Sequence, residues 1–146
     1  MQGISLQGEI VFSGWGRCDM GQLPSQSDDE SIPIKKFIQF PTLMLSPPLC
    51  STPLIEIWCG SEYTIGCTED GELWSRGWRE HGNLGHDPEF DEKINSAQIC
   101  RDWIPVKREF IISDKEHPSA HPLTLKNIWN GKIACGGAHC IALIDL

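Results

Sequence analysis

Glu80 and His81 are adjacent, and a carboxylate beside an imidazole has the residue types needed to take up and return a proton. The pair lies in a loop that occurs twice. Its counterpart in the other copy, Asp19–Met20, does not preserve it, so the reading here is a loop feature and a partner contact rather than catalysis. Five histidines, His81, His86, His117, His121 and His139, have the chemistry of metal ligands. His117 and His121 are four apart, a spacing that suits one helix face, but Pro118 between them opposes a helix. No Cys-x-x-Cys pair occurs, and no metal site or cofactor is expected. Gly14–Trp15–Gly16 and Gly82–Asn83–Leu84–Gly85 lack the lysine and the strand-to-helix setting of a phosphate loop, and there is no nucleophile elbow. The residues point away from an enzyme.

What positions these residues is an internal repeat. Ile57–Trp58–Cys59–Gly60–Ser61–Glu62–Tyr63–Thr64–Ile65 matches Ile133–Ala134–Cys135–Gly136–Gly137–Ala138–His139–Cys140–Ile141, with Ile, Cys, Gly and the second Ile identical in register. Gly16–Arg17–Cys18–Asp19–Met20–Gly21–Gln22–Leu23 likewise matches Gly77–Trp78–Arg79–Glu80–His81–Gly82–Asn83–Leu84. Both copies keep two glycines five apart and a leucine two further on. In the first signal a short apolar strand meets a glycine that allows a turn, then a second strand begins. Glu69–Asp70–Gly71–Glu72 is a tight-turn signature joining two strands of a hairpin. Leu73–Trp74–Ser75–Arg76 then runs into the second, glycine-bounded loop. Strand, turn, strand, hairpin, strand and loop make one blade of a β-propeller. The expected fold is all-β, a partial propeller of two to three antiparallel blades.

Two Pro-rich stretches, 24–53 and 86–126, read as irregular insertions. Within them Ile34–Phe40, Thr42–Leu45 and Trp103–Ile112 are candidate strands, and Ser113–His121 reads as an exposed loop. No helical or heptad period is visible.

Composition narrows the function classes. Charged residues are 22% and hydrophobic ones 40% of 146, ordinary globular usage. A net charge of −8 opposes direct nucleic-acid binding, which needs clustered Lys and Arg. Asp28–Asp29–Glu30, beside a Ser-rich stretch, reads as a solvated loop. No apolar run approaches the ~20 residues of a membrane span, and Met1–Glu9 has no secretory-signal pattern. Seven cysteines, with Cys59, Cys67, Cys135 and Cys140 inside apparent strands, read as reduced core thiols of a cytoplasmic or nuclear protein.

Trp15–Gly16–Arg17–Cys18–Asp19–Met20–Gly21–Gln22–Leu23 resembles the Trp-Gly-x-Asn-x-x-Gly-Gln-Leu loop of regulator-of-chromosome-condensation repeats. Ile133–Ala134–Cys135–Gly136–Gly137–Ala138–His139–Cys140 resembles that family's Ala-Cys-Gly-x-x-His-Thr strand pair. The stretch Arg76–Gly85 is similar to the last blades of the fungal alpha-tubulin suppressor and secretion-regulating exchange-factor-like proteins, with Arg76 where those have Trp. The resemblance implies a non-enzymatic propeller that partners a small zinc-binding protein in diphthamide synthesis and tRNA wobble-uridine modification. The rival it implies is a guanine nucleotide exchange factor for a small GTPase, which needs a protruding β-wedge and an acidic face; the chain is acidic, and no segment of it is assigned as the wedge. Gly16, Gly21, Gly60, Gly77, Gly82, Gly136 and His139 take structural places in this repeat. Trp78, Glu80, His81 and Asn83 are the candidate partner-binding residues, with Trp78 either a wedge between blades or a surface anchor. A closed ring needs roughly six or seven blades. The chain is therefore expected to be part of a longer propeller without independent function, to complete a ring with a second chain, or to form a small open fold.

Overall fold

In the computed structural model, residues 3–6, 9–23, 36–44, 52–80, 82–86, 99–106, 109–111, 122–124 and 133–142 are described. Among them every regular element is a strand. Strands β1 (Gly3–Leu6), β2 (Glu9–Arg17) and β3 (Phe37–Met44) form one antiparallel sheet in that order. Strands β4 (Leu54–Cys59), β5 (Tyr63–Thr68), β6 (Leu73–Trp78) and β7 (Ile99–Pro105) form a four-stranded antiparallel meander, a complete blade. Strands β8 (Glu109–Ile111) and β9 (Pro122–Thr124) pair with each other, as do β10 (Ile133–Cys135) and β11 (Cys140–Ala142). The fold is an all-β partial propeller.

The central blade is covered on both faces. Leu54, Trp74 and Trp103 pack with Phe12, Leu23, Ile38 and Met44 of the first sheet. Its other face carries Tyr63, Ile65, Leu84, Cys100 and Ile104, against which Cys135 and Cys140 of the last hairpin pack. Burial on both sides explains why every residue of β5 is buried, where a one-faced strand would alternate. The Asp70–Gly71 turn joins β5 to β6 as the sequence implies. Thr68 ties it by donating its hydroxyl to Asp70 Oδ1 at 2.5 Å and accepting from Glu72 N at 2.9 Å.

Three expectations change. Ile34–Phe40 and Thr42–Leu45 are not two strands: β3 runs through Pro41, tolerated because β3 is a sheet edge where a missing N–H breaks no ladder. It lies inside the 24–53 stretch read as irregular. Trp103–Ile112 is divided between β7, which begins at Ile99, and β8, and these belong to different sheets. Cys59, expected in the core, is exposed at the end of edge strand β4. Ser113–His121 and Asp28–Glu30 lie outside the described residues.

Burial pushes the Cys67 thiol up to about 12 from an ordinary 9.0, with Glu56 and Asp70 adding to it. A raised acid binds its proton more tightly in the folded chain, so its contribution is intact below pH 9.0 and is lost as pH rises towards 12. The stability difference between wild type and Cys67→Ala, from urea titrations at a series of pH values, is expected to shrink over that window. A constant difference would show that the thiolate is tolerated in place.

Candidate protein-interaction face

Two kinds of turn gather on one side of the blades, and both recur. Gly60 N donates to Tyr63 O, and Gly136 N to His139 O, each at 2.9 Å. A Cβ at Gly60 would overlap the Tyr63 ring, and one at Gly136 would lie 2.6 Å from His139 Nε2, so each ring lies over its own glycine. The ring three residues on is thus the partner that the sequence match left unexplained. The backbone carbonyl of His139 accepts from Tyr63 Oη at 2.6 Å.

The glycine-bounded loops agree as closely. Gly16 and Gly77 take φ of 108° and 121°, and Gly21 and Gly82 take 77° and 69°. The β2–β3 ladder shifts between Gly14 and Gly16, and the β6–β7 ladder shifts between Ser75 and Gly77. The same bulge therefore places Trp15 and Arg76 at equivalent sites.

Those two side chains have opposite fates. Arg76 is 6% exposed, donating from Nε to Gly21 O at 2.8 Å and from Nη2 to Leu23 O at 3.1 Å, while lying over the Trp103 ring. Burial lowers its pKa to about 10, opposed by Asp102, so it stays a cation at neutral pH. Thr64 donates to Gln22 O at 2.7 Å beside it. The first loop is thereby clamped onto the central blade by three carbonyl contacts. Trp15 is 53% exposed.

The candidate residues separate. Trp78 is half-buried at the end of β6, its N–H donating to Glu62 O at 2.9 Å. Glu80 is exposed. Asn83, expected to touch a partner, is 8% exposed and donates from Nδ2 to Trp78 O at 2.8 Å, so it closes its own loop instead. His81 lies outside the described residues. Arg17 joins the neighbouring turns by pairing with Asp19 at 2.6 Å and Glu62 at 2.9 Å. Arg76 and Thr64 were missed by sequence reasoning, although Arg76 was visible as a departure from the repeat pattern. Among the described residues no group of three or more His, Cys, Asp or Glu could hold a metal ion.

The chain is 30% identical over 139 residues to the ultraviolet-B receptor UVR8 of Arabidopsis thaliana, covering 94% of this chain and 24% of that protein. It is 26% identical over 133 residues to protein RCC2 of Homo sapiens, covering 91% and 24%. The chain belongs to the regulator-of-chromosome-condensation repeat family. The human E3 ubiquitin-protein ligase HERC2 matches at 25% identity over 173 residues, covering 97% of this chain and 3% of the ligase. The chain spans about a quarter or less of these relatives. No family model matches it. Within this repeat family, the doubled glycine loops and paired turns of the chain are the blade signature repeated in space.

Proposed function

We propose that this chain is a non-catalytic propeller module, cytoplasmic or nuclear, whose loop face binds a protein partner. The observation that carries the reading is the gathering of the turns at 16–23, 60–63, 78–80, 82–84 and 136–139 on one side, tied to one another by Arg17–Glu62, Trp78 N–Glu62 O, Tyr63 Oη–Gly136 O and Cys140–Asn83 O contacts. Backbone hydrogen bonds hold that side rigid, and it presents Trp78 and Glu80. A preorganised surface that carries an aromatic is what a partner needs, because little ordering cost is left to binding. The finer reading is a small zinc-binding protein partner, in diphthamide synthesis and tRNA wobble-uridine modification. The similarity of Arg76–Gly85 to the fungal blades supports it.

Glu80→Arg and Trp78→Ala are expected to weaken capture of that zinc protein by about 10-fold or more, near 1.4 kcal/mol. The urea midpoint of Glu80→Arg should hold, since exposed substitutions usually stay within about 0.5 kcal/mol. Unchanged capture by both variants would move the binding site off this face. Catalysed release of fluorescent GDP from a small GTPase, with no zinc-protein capture, would replace the reading with nucleotide exchange.

A second observation concerns the ring itself. Trp15 occupies the site from which Arg76 grips the loop of the preceding blade, and it is open. We propose that a further repeat covers it, supplied by a second chain. Sedimentation of the purified chain is expected to show self-association that Trp15→Glu abolishes. A monomer at all concentrations would overturn this.

A further inference from the structure

Cys135 and Cys140 are register partners across the β10–β11 hairpin, with Sγ atoms 3.4 Å apart. The next pair, Gly136 and His139, is hydrogen-bonded. Strand alternation therefore makes Cys135–Cys140 a non-hydrogen-bonded pair, in which opposing Cα atoms approach to about 4.5 Å. That spacing lies inside the range a disulfide spans.

The equivalent partners in the central blade are Cys59 and Thr64. There the hydroxyl bonds the preceding loop at Gln22 O, 2.7 Å away. Cys140 points at the matching carbonyl, Asn83 O, from 3.9 Å, and donates to Tyr63 Oη at 3.2 Å. Tyr63 commits its own proton to His139 O. Cysteine at position 140 thus weakens the contact between blades and adds a second thiol beside the first.

We propose that Cys135 and Cys140 are a reversible oxidation site, closing to a disulfide within the hairpin when the chain meets a peroxide. The Cys140 thiolate attacks one peroxide oxygen, the O–O bond breaks, and water leaves once protonated. Cys135 sulfur then attacks the resulting sulfenic acid. The S–S bond forms, the S–O bond breaks, and the departing oxygen takes the Cys135 proton as a second water. Two thiols lose two electrons and one peroxide gains them. Hydrogen bonding from Cys135 holds the Cys140 thiol down to about 7 against its partial burial, and the same bond pushes Cys135 up. Closure draws Cys140 Sγ away from Asn83 O and Tyr63 Oη, removing its link to the central blade.

Residues 133–146 follow Lys132 and contain no Lys or Arg, so trypsin releases both cysteines in one peptide that holds no other. After treating the full chain with hydrogen peroxide, this peptide is expected to lose the mass of two hydrogen atoms and both alkylation sites. Dithiothreitol should restore both. Cys140→Thr, which installs the residue of the central blade, should remove the two-hydrogen loss. The proposal is overturned if the wild-type peptide still accepts two alkyl groups, gains oxygen instead, or is found only cross-linked between chains.

Discussion

Gly77→Ala is expected to destabilise the chain by about 4 kcal/mol, among the largest losses a single methyl group can cause. At φ 121° an L side chain is strained, and the added Cβ would overlap Glu62 O and lie 2.5 Å from Tyr63 Cα. Both obstacles are backbone, so no rotamer change relieves them. Moving that backbone would also break the Trp78 N–H bond to Glu62 O and lift Tyr63 out of the core. Gly16→Ala is the control. Its φ is 108°, yet nothing lies within 4 Å of its Cβ, so only backbone strain of about 1–3 kcal/mol applies. Denaturant titration of both variants separates strain from collision. Equal losses would show that the turn at 60–63 yields, and that the close approach there is not a rigid constraint.

Arg76→Met is expected to cost a similar amount, about 4 kcal/mol. Charge-assisted hydrogen bonds contribute about 1.5–3 kcal/mol each, and two buried carbonyls would lose their donor. Methionine keeps most of the stem packed, so the loss reports the guanidinium rather than a cavity. Arg76→Lys should recover only part of it, because a point donor cannot serve Gly21 O and Leu23 O in the fork geometry. The readout that identifies the cause is local: amides of residues 16–23 should exchange faster in Arg76→Met, while those of β5 respond only to global unfolding. A double cycle with Thr64→Val should be non-additive, since both side chains hold the same loop. Additivity, with unchanged exchange at 16–23, would mean that apolar packing alone docks the first loop.

The clamp also bears on the binding face. Arg17 and Asp19 belong to the loop that Arg76 holds, and Arg17 reaches Glu62 in the adjoining turn. Loosening the loop would therefore disturb the face without touching it. Partner capture measured on Arg76→Met should be compared with Glu80→Arg, which alters the face and leaves the clamp intact.

The sequence by itself determined the blade plan of this protein. Gly16, Gly82, Gly60 and Gly136 answer to turns that close within a few residues and so stand out in local spacing, whereas Gly77 and Gly21 also meet distant backbone, Glu62 O and Cys100 O. The Asp70–Gly71 hairpin is local in the same sense. Tertiary structure decided the rest, because those outcomes depend on which surface each residue meets. Pro41 reads as a strand breaker until β3 is seen to be an edge. Asn83 reads as a surface contact until its loop folds over it. Trp15 and Arg76 share one site in the repeat, yet only Arg76 has carbonyls 53 and 55 residues away to hold. Cys135 and Cys140 are five apart in sequence, and only the hairpin register brings their sulfurs together. Turn geometry is written in neighbouring residues, whereas burial and long-range hydrogen bonds are fixed only when the blades stack.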